Sequence, residues 1–290
     1  MSTSQGDVMS NALEIKNLTK SYPGFVLDHV NIELPTGCVM GLIGENGAGK
    51  STTIKLLLGL ARRDKGEVKV LGEAMTTENR KLKEHIGVVM DECNFPDCMR
   101  LKEIHKMMRQ CYKTWNQVRF ENLQKEFNLP SDKQVKDFSR GMKMKLSIAV
   151  ALSHDSRLLI LDEATSGLDP IVRDEILDIF LDFMQDESHS ILISSHILSD
   201  LEKICDYITF LHKGKVVFSE EKEALQEKYV IVKCSEQDFS ALDPKAIIGV
   251  RKNSFGVEAL ALRGRIPGSF LQEHASIEDI MLYHVKEGSR

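Results

Sequence analysis

Residues 44 to 52 read Gly-Glu-Asn-Gly-Ala-Gly-Lys-Ser-Thr, and no other stretch constrains the fold as strongly. The apolar run Val39-Met40-Gly41-Leu42-Ile43 precedes it, and the helix-like Thr53-Ile54-Lys55-Leu56-Leu57-Leu58 follows. Strand, glycine-rich loop and helix in that order form a phosphate loop. Glycines at 44, 47 and 49 admit backbone conformations closed to residues with a β-carbon, so successive amide N–H groups can turn inward around phosphate oxygens. The N-terminus of the following helix adds its positive dipole end. In such a loop Lys50 reaches the β- and γ-phosphates and the Ser51 hydroxyl ligates Mg²⁺, while Glu45, Asn46, Ala48 and Thr52 complete the cradle. The pattern predicts binding of a nucleoside triphosphate together with Mg²⁺.

A chain of 290 residues accommodates one large domain plus a small one. Its formal net charge of −5 carries no basic excess, which argues against nucleic acid as a partner. Six cysteines without a Cys-x-x-Cys pair, and no apolar leader, suit a reduced cytoplasmic protein rather than a disulfide framework. Cys93, Cys98 and Cys111 lie near one another, but their spacing matches no common zinc pattern and no histidine pair completes one. No apolar run approaches the ~18 residues that cross a bilayer. A pore, if the protein serves one, belongs to another chain.

Along the chain, Leu13 to Leu34 alternates apolar and polar residues around Tyr22-Pro23-Gly24, which predicts two antiparallel strands. Gly66 to Gly72 reads as a further short strand, residues 76 to 86 as helical, and Ile86 to Met90 as a buried strand ending in Asp91-Glu92. Strand signals then vanish until about residue 152, so residues 92 to 152 are expected to form a helical subdomain. Arg157 to Leu161 and Ser190 to Ser194 resume the continuous apolar runs of parallel core strands. Near Glu220 a charged segment leads to Tyr229-Val230-Ile231-Val232-Lys233 and a hairpin expected around Lys252 to Gly256. The expected layout is an α/β domain over residues 11 to 219 and a small α+β appendage over 220 to 290.

A phosphate loop alone fits kinases, GTPases and motor ATPases. The discriminating stretch is Leu158-Leu159-Ile160-Leu161-Asp162-Glu163, in which an apolar strand delivers two carboxylates at its C-terminal end, where ligands gather in open parallel sheets. Asp162 there can hold Mg²⁺, and Glu163 can sit beside an attacking water and polarise it. Phe138-Ser139-Arg140-Gly141-Met142-Lys143 begins a helical run, with Ser139 as N-cap and a glycine at 141 leaving the helix N-terminus open to an anion.

These segments together resemble the ATP-binding-cassette (ABC) ATPases. Ser139-Arg140-Gly141 is similar to their LSGGQ signature motif, and Asp162-Glu163-Ala164-Thr165-Ser166-Gly167-Leu168-Asp169 to their joined Walker B motif and D-loop. The resemblance implies a P-loop NTPase fold of the ABC cassette type, with a mixed sheet and a helical signature subdomain. It also implies that Tyr22 stacks on adenine and that His196 is the switch histidine contacting the γ-phosphate, making Glu163, His196 and Lys50 the expected catalytic residues. Ser139 and Gly141 are expected to serve the nucleotide of an opposite subunit, identical or not, in a head-to-tail dimer. Phe138 to Leu146 and the closing Ser276 to Tyr283 resemble the subgroup that pairs with ABC-2-type permeases. Three positions depart from the family. Asp91 stands where a glutamine is usual and becomes a third candidate metal ligand beside Ser51 and Asp162, while Arg140 and Met142 replace a glycine and a glutamine.

The resemblance implies an ATPase on the cytoplasmic face of a membrane, driving a separate permease, with export the expected direction. A soluble ABC ATPase for macromolecular assembly, such as iron–sulfur cluster assembly, is the rival, and a nucleotide-binding regulator without turnover is a third reading.

Overall fold

The computed structural model describes residues 10–254 and 256–287. Among these, the strands form three sheets. The first is antiparallel, in the order β2 (Phe25–Pro35), β1 (Asn11–Tyr22), β4 (Lys65–Val70), β5 (Glu73–Ala74). Along β2 buried and exposed residues alternate, with Leu27, Val30, Ile32 and Leu34 inward, which is the pattern of a sheet with one face on the core.

The second sheet carries the phosphate loop. Its order is β10 (Lys215–Glu221), β9 (Tyr207–His212), β3 (Val39–Ile43), β8 (Ser190–Ser194), β7 (Leu158–Asp162), β6 (Ile86–Val89). From β9 to β6 the strands are parallel, and β10 folds back antiparallel at one edge, so the sheet is mixed. Every residue of β3, β7 and β8 is buried, as expected for strands covered on both faces. α1 (Lys50–Leu57), α6 (Pro170–Phe183) and α7 (Leu198–Ile204) follow β3, β7 and β8 respectively.

Residues 76 to 86 form less helix than their charge pattern predicts. Only α2 (Arg80–Lys83) is helical, capped by the Asn79 side chain accepting from the Leu82 N–H at 3.1 Å. Leu82 is the one residue of that turn that is buried, so there is no apolar stripe to hold a longer helix against the core. Between β6 and β7 lie α3 (Leu101–Cys111), α4 (Gln117–Glu126), a 3₁₀ turn at Val135–Asp137 and α5 (Arg140–Ala151). Phe120, Leu123, Phe127, Val135 and Phe138 bury their side chains among these helices.

The C-terminal segment opens with α8 (Lys222–Lys228). It continues into a third sheet, antiparallel in the order β12 (Ile247–Asn253), β13 (Gly256–Leu262), β11 (Tyr229–Cys234), β14 (Leu271–His274), with α9 (Glu236–Ser240) beside it. The β12–β13 hairpin stands where the sequence placed it, with Phe255 of its turn outside the described residues. The last helix, α10 (Ile277–Glu287), starts with reciprocal caps. The Asp279 N–H donates to Ser276 Oγ, and the Ser276 N–H to Asp279 Oδ2, each at 3.1 Å. Tyr229, Ile231, Leu260, Ile277, Ile280 and Tyr283 join one hydrophobic core with Leu201, Ile208 and Phe210 of the large sheet's layer. Val230, Val232, Leu242, Ala246, Ala261 and Ile266 form a small core of their own.

Candidate functional site: the phosphate-loop cleft

At the C-terminal ends of β3, β7 and β8 lies an open cleft of about 740 Å³. Glu45, Asn46, Gly47, Gly49, Lys50, Ser51 and Thr52 line one side, and Asp91, Glu163 and His196 another. The parallel register aligns the strand ends, placing Asp162 opposite Ser194. Gly44 and Ala48 shape the loop from behind. A methyl group on Gly44 would run into the Leu211 carbonyl oxygen, and the Ala48 carbonyl accepts from the Gly214 N–H at 3.0 Å. The β9–β10 turn therefore props the loop from below.

Within the cleft the charged groups are already organised. Lys50 is buried, and its ammonium donates to the Gly44 carbonyl at 2.8 Å while standing 3.6 Å from Glu163 Oε1. The other carboxylate oxygen of Glu163 lies 2.6 Å from His196 Nδ1. Glu163 itself has a positive φ of 54°, a left-handed conformation uncommon for a residue with a side chain. Its N–H donates to the Ser194 carbonyl at 3.0 Å and to Ser194 Oγ at 3.2 Å, which holds that turn. Asp162 is fully buried and accepts from Ser194 Oγ at 2.5 Å and from Ser51 Oγ at 3.3 Å.

Ser51 and Asp162 offer only oxygen donors, the set a hard divalent cation such as Mg²⁺ prefers alongside phosphate oxygens. Among the described residues no cluster of three His, Cys, Asp or Glu could hold a metal by itself, so the remaining ligands would have to come from nucleotide and water. Asp91 lines the same cleft.

Three expected contributors stand apart. Tyr22 is not in the lining of the cleft; its ring is exposed, with the Lys20 ammonium 5.4 Å from the ring centroid, whereas Gly24 and Phe25 do line the cleft. The physical reason is the two-residue turn after Tyr22, which carries the chain back so that Phe25, its pairing partner, packs against Gly49 of the loop. Ser139 and Gly141 lie outside this chain's own cleft, and Ser139 Oγ accepts from the Met142 N–H at 3.2 Å as the cap of α5. Arg140 between them does line the cleft.

Sequence reasoning had given no part to Ser194, whose hydroxyl donates to the Asp162 carboxylate and which accepts the backbone N–H of Glu163. The available signal was a serine ending an apolar strand beside the one that ends in Asp162. It also overlooked His212, whose Nδ1 stands 3.6 Å from a carboxylate oxygen of Glu45 in the loop.

Comparison with known proteins settles the family. Residues 27–166 match the family model described as ABC transporter. Over 286 residues, 96% of this chain and 92% of the relative, the sequence is 32% identical to the uncharacterized ABC transporter ATP-binding protein YhcH of Bacillus subtilis (strain 168). The chain belongs to the ABC transporter ATP-binding proteins. It is also 38% identical to the lantibiotic transport ATP-binding protein SrtF of Streptococcus pyogenes, over 75% of this chain and 95% of that one. A solved ATP-binding subunit of an ABC transporter superposes with a TM-score of 0.67 at 28% identity, covering 74% of this chain and 92% of its own. Membership makes the protein an ATP-binding ATPase. Among the described residues no helix is long and apolar enough to cross a membrane.

Proposed function

We propose that this chain is the ATP-hydrolysing subunit of an ABC exporter, peripheral on the cytoplasmic face of a membrane and driving a permease on a separate chain. The observation that carries the hydrolytic part is the Glu163 carboxylate standing between Lys50 and His196 at the mouth of the phosphate loop. A carboxylate so placed can accept a proton from a water aimed at the γ-phosphate. Lys50 and the loop amides would stabilise charge on the transferring phosphoryl group. Ser51 and Asp162 would hold Mg²⁺, with Asp91 as a further carboxylate toward it, and the ion would supply positive charge to neutralise the phosphates. His196 would leave Glu163 for the γ-phosphate once nucleotide enters.

Ser139 and Gly141, which do not line their own chain's cleft, support a composite site in which a second cassette, identical or not, provides the matching segment. ATP would then join two cassettes and hydrolysis release them, the cycle that moves the permease. Residues 11 to 219 form the cassette on this reading, with 92 to 152 as the helical subdomain meeting the membrane partner and 220 to 290 as an accessory domain. SrtF and the bacitracin transport ATP-binding protein BcrA of Bacillus licheniformis, 34% identical over 72% of this chain and 69% of that one, are both named for transport, which favours transport over macromolecular assembly.

Glu163→Gln tests the chemistry. Phosphate release is expected to fall about 10² to 10⁴-fold while ATP binding persists and a dimer accumulates. Undiminished turnover would remove Glu163 from the mechanism. Purification from native membranes in mild detergent tests the partner, because an integral membrane protein should remain attached and a purely soluble complex would refute transport.

A further inference from the structure

Two of the three family departures identified in the sequence, Asp91 and Arg140, carry charge, and the fold places both in the lining of one cleft. Asp91 follows β6 of the large sheet, and Arg140 opens α5 of the helical segment. Both residues line the phosphate-loop cleft and also a second cavity of about 520 Å³, which Glu92, Cys93, Phe138, Lys143, Met144 and Ser147 complete. Asp91 and Arg140 are the two described residues that line both spaces.

Neither of them makes an ion pair with another described residue. The guanidinium lies over Gly167 of the Asp162–Asp169 segment, where a methyl group would come within 2.9 Å of its Cζ and Nη1. That resting place uses none of the five N–H donors in a charge-assisted bond. Close by, Glu163 and Asp162 already place two carboxylates at the phosphate end of the cleft, and Asp91 adds a third. Carboxylates crowded together repel one another, and a guanidinium, with its planar fork, is the side chain best matched to hold one of them at a fixed position.

We propose that Arg140 is a positioning residue for Asp91: when Mg-nucleotide fills the cleft, the guanidinium leaves Gly167, pairs with the Asp91 carboxylate and fixes its distance from the metal. Paired, Asp91 is restrained from binding the ion directly. The pair also links α5 to the end of β6, so the helical segment and the main sheet meet the nucleotide as one unit. This inference rests on the cleft being a Mg-nucleotide site.

The test is a double-mutant cycle in the full chain with Arg140→Ala, Asp91→Ala and the double variant, checked for folding by thermal melting. Phosphate release is measured together with Mn²⁺ binding by electron paramagnetic resonance in the presence of a non-hydrolysable ATP analogue. Arg140→Ala should lower kcat about tenfold with little change in KM for ATP, and should tighten Mn²⁺ binding as the freed carboxylate reaches the ion. In the Asp91→Ala background the same substitution should change kcat less than twofold and leave Mn²⁺ affinity alone. A tenfold loss of additivity corresponds to a coupling of about 1.4 kcal/mol. Arg140→Lys, which keeps the charge and loses the fork, should fall between wild type and alanine.

Equal losses in both backgrounds would overturn the pairing and place the guanidinium on another group, such as nucleotide phosphate. An Arg140→Ala chain with unchanged kcat and unchanged Mn²⁺ affinity would also overturn it. Absence of nucleotide binding in the wild-type chain would instead remove the functional reading on which the pair depends.

Discussion

The phosphate loop and the Ser139–Gly141 segment both begin helices and both carry glycine, yet they relate to the rest of the chain in opposite ways. Around residues 44 to 52 the glycine requirement is met inside the molecule. Gly44 lies so close to the Leu211 carbonyl that no side chain fits, and Gly214 hydrogen-bonds to Ala48. At Gly141 nothing in the chain demands glycine. Its φ is not positive, and an added β-carbon would meet only Val172 Cγ1 at 3.6 Å and Leu168 Cδ2 at 3.9 Å, ordinary contacts. A glycine inside a helix costs about 1 kcal/mol relative to alanine, so a bare position with room for a methyl suits an approach from outside the chain. The first segment is shaped by its own fold and the second is left open for something else.

Substitution at Gly44 should produce the largest effect. Gly44→Ala drives a methyl into backbone that cannot yield, so ATP binding should be lost and stability should drop by about 2–4 kcal/mol, read by nucleotide titration and thermal melting. Wild-type binding in that variant would break the contrast at its stronger end. Gly141→Ala sharpens the other end. It should cut phosphate release about tenfold while the melting temperature stays level or rises, in line with a helix-propensity gain of up to about 1 kcal/mol. A clear loss of stability would show that this glycine, too, serves its own chain.

The smallest effect concerns the far end of α5. There His154 is buried, its ring stacked on Tyr112 with centroids 4.0 Å apart, and its Nδ1–H donates to the Glu84 carbonyl at 2.8 Å. Burial pushes its pKa below the usual 6.5, against the opposing pull of that hydrogen bond. The unfolded chain therefore takes up a proton that the folded one refuses, and the native state loses stability as pH falls below about 6.5. Above that pH the residue is neutral in both states and the term vanishes. Denaturant unfolding followed between about pH 7.5 and 5.5 should show this slope, and His154→Gln should flatten it. An unaltered slope in the variant would assign the acid sensitivity elsewhere.

Much of this was written locally in the chain. The phosphate loop, the strand ending in Asp162-Glu163 and the closing helix after Ser276 depend on neighbours in sequence, so spacing and residue type suffice to read them. The helix expected over 76 to 86 shrank to a single turn because its length depended on a buried face that only the packed molecule could withhold or supply. Tyr22 and Phe25 are separated by one tight turn, and the direction of that turn, invisible in the text, sets which aromatic ring lines the cleft.

By itself the sequence determined that a triphosphate would sit on a strand–loop–helix unit, because glycine, lysine and serine at fixed spacing have few other physical uses. Tertiary structure decided how the charges in that cleft are shared. The parallel register that sets Asp162 beside Ser194, and the fold that carries Arg140 into the same cleft lining as Asp91, join residues far apart in the chain. Coulombic and hydrogen-bonding partners act over a few ångströms, so only packing could choose them.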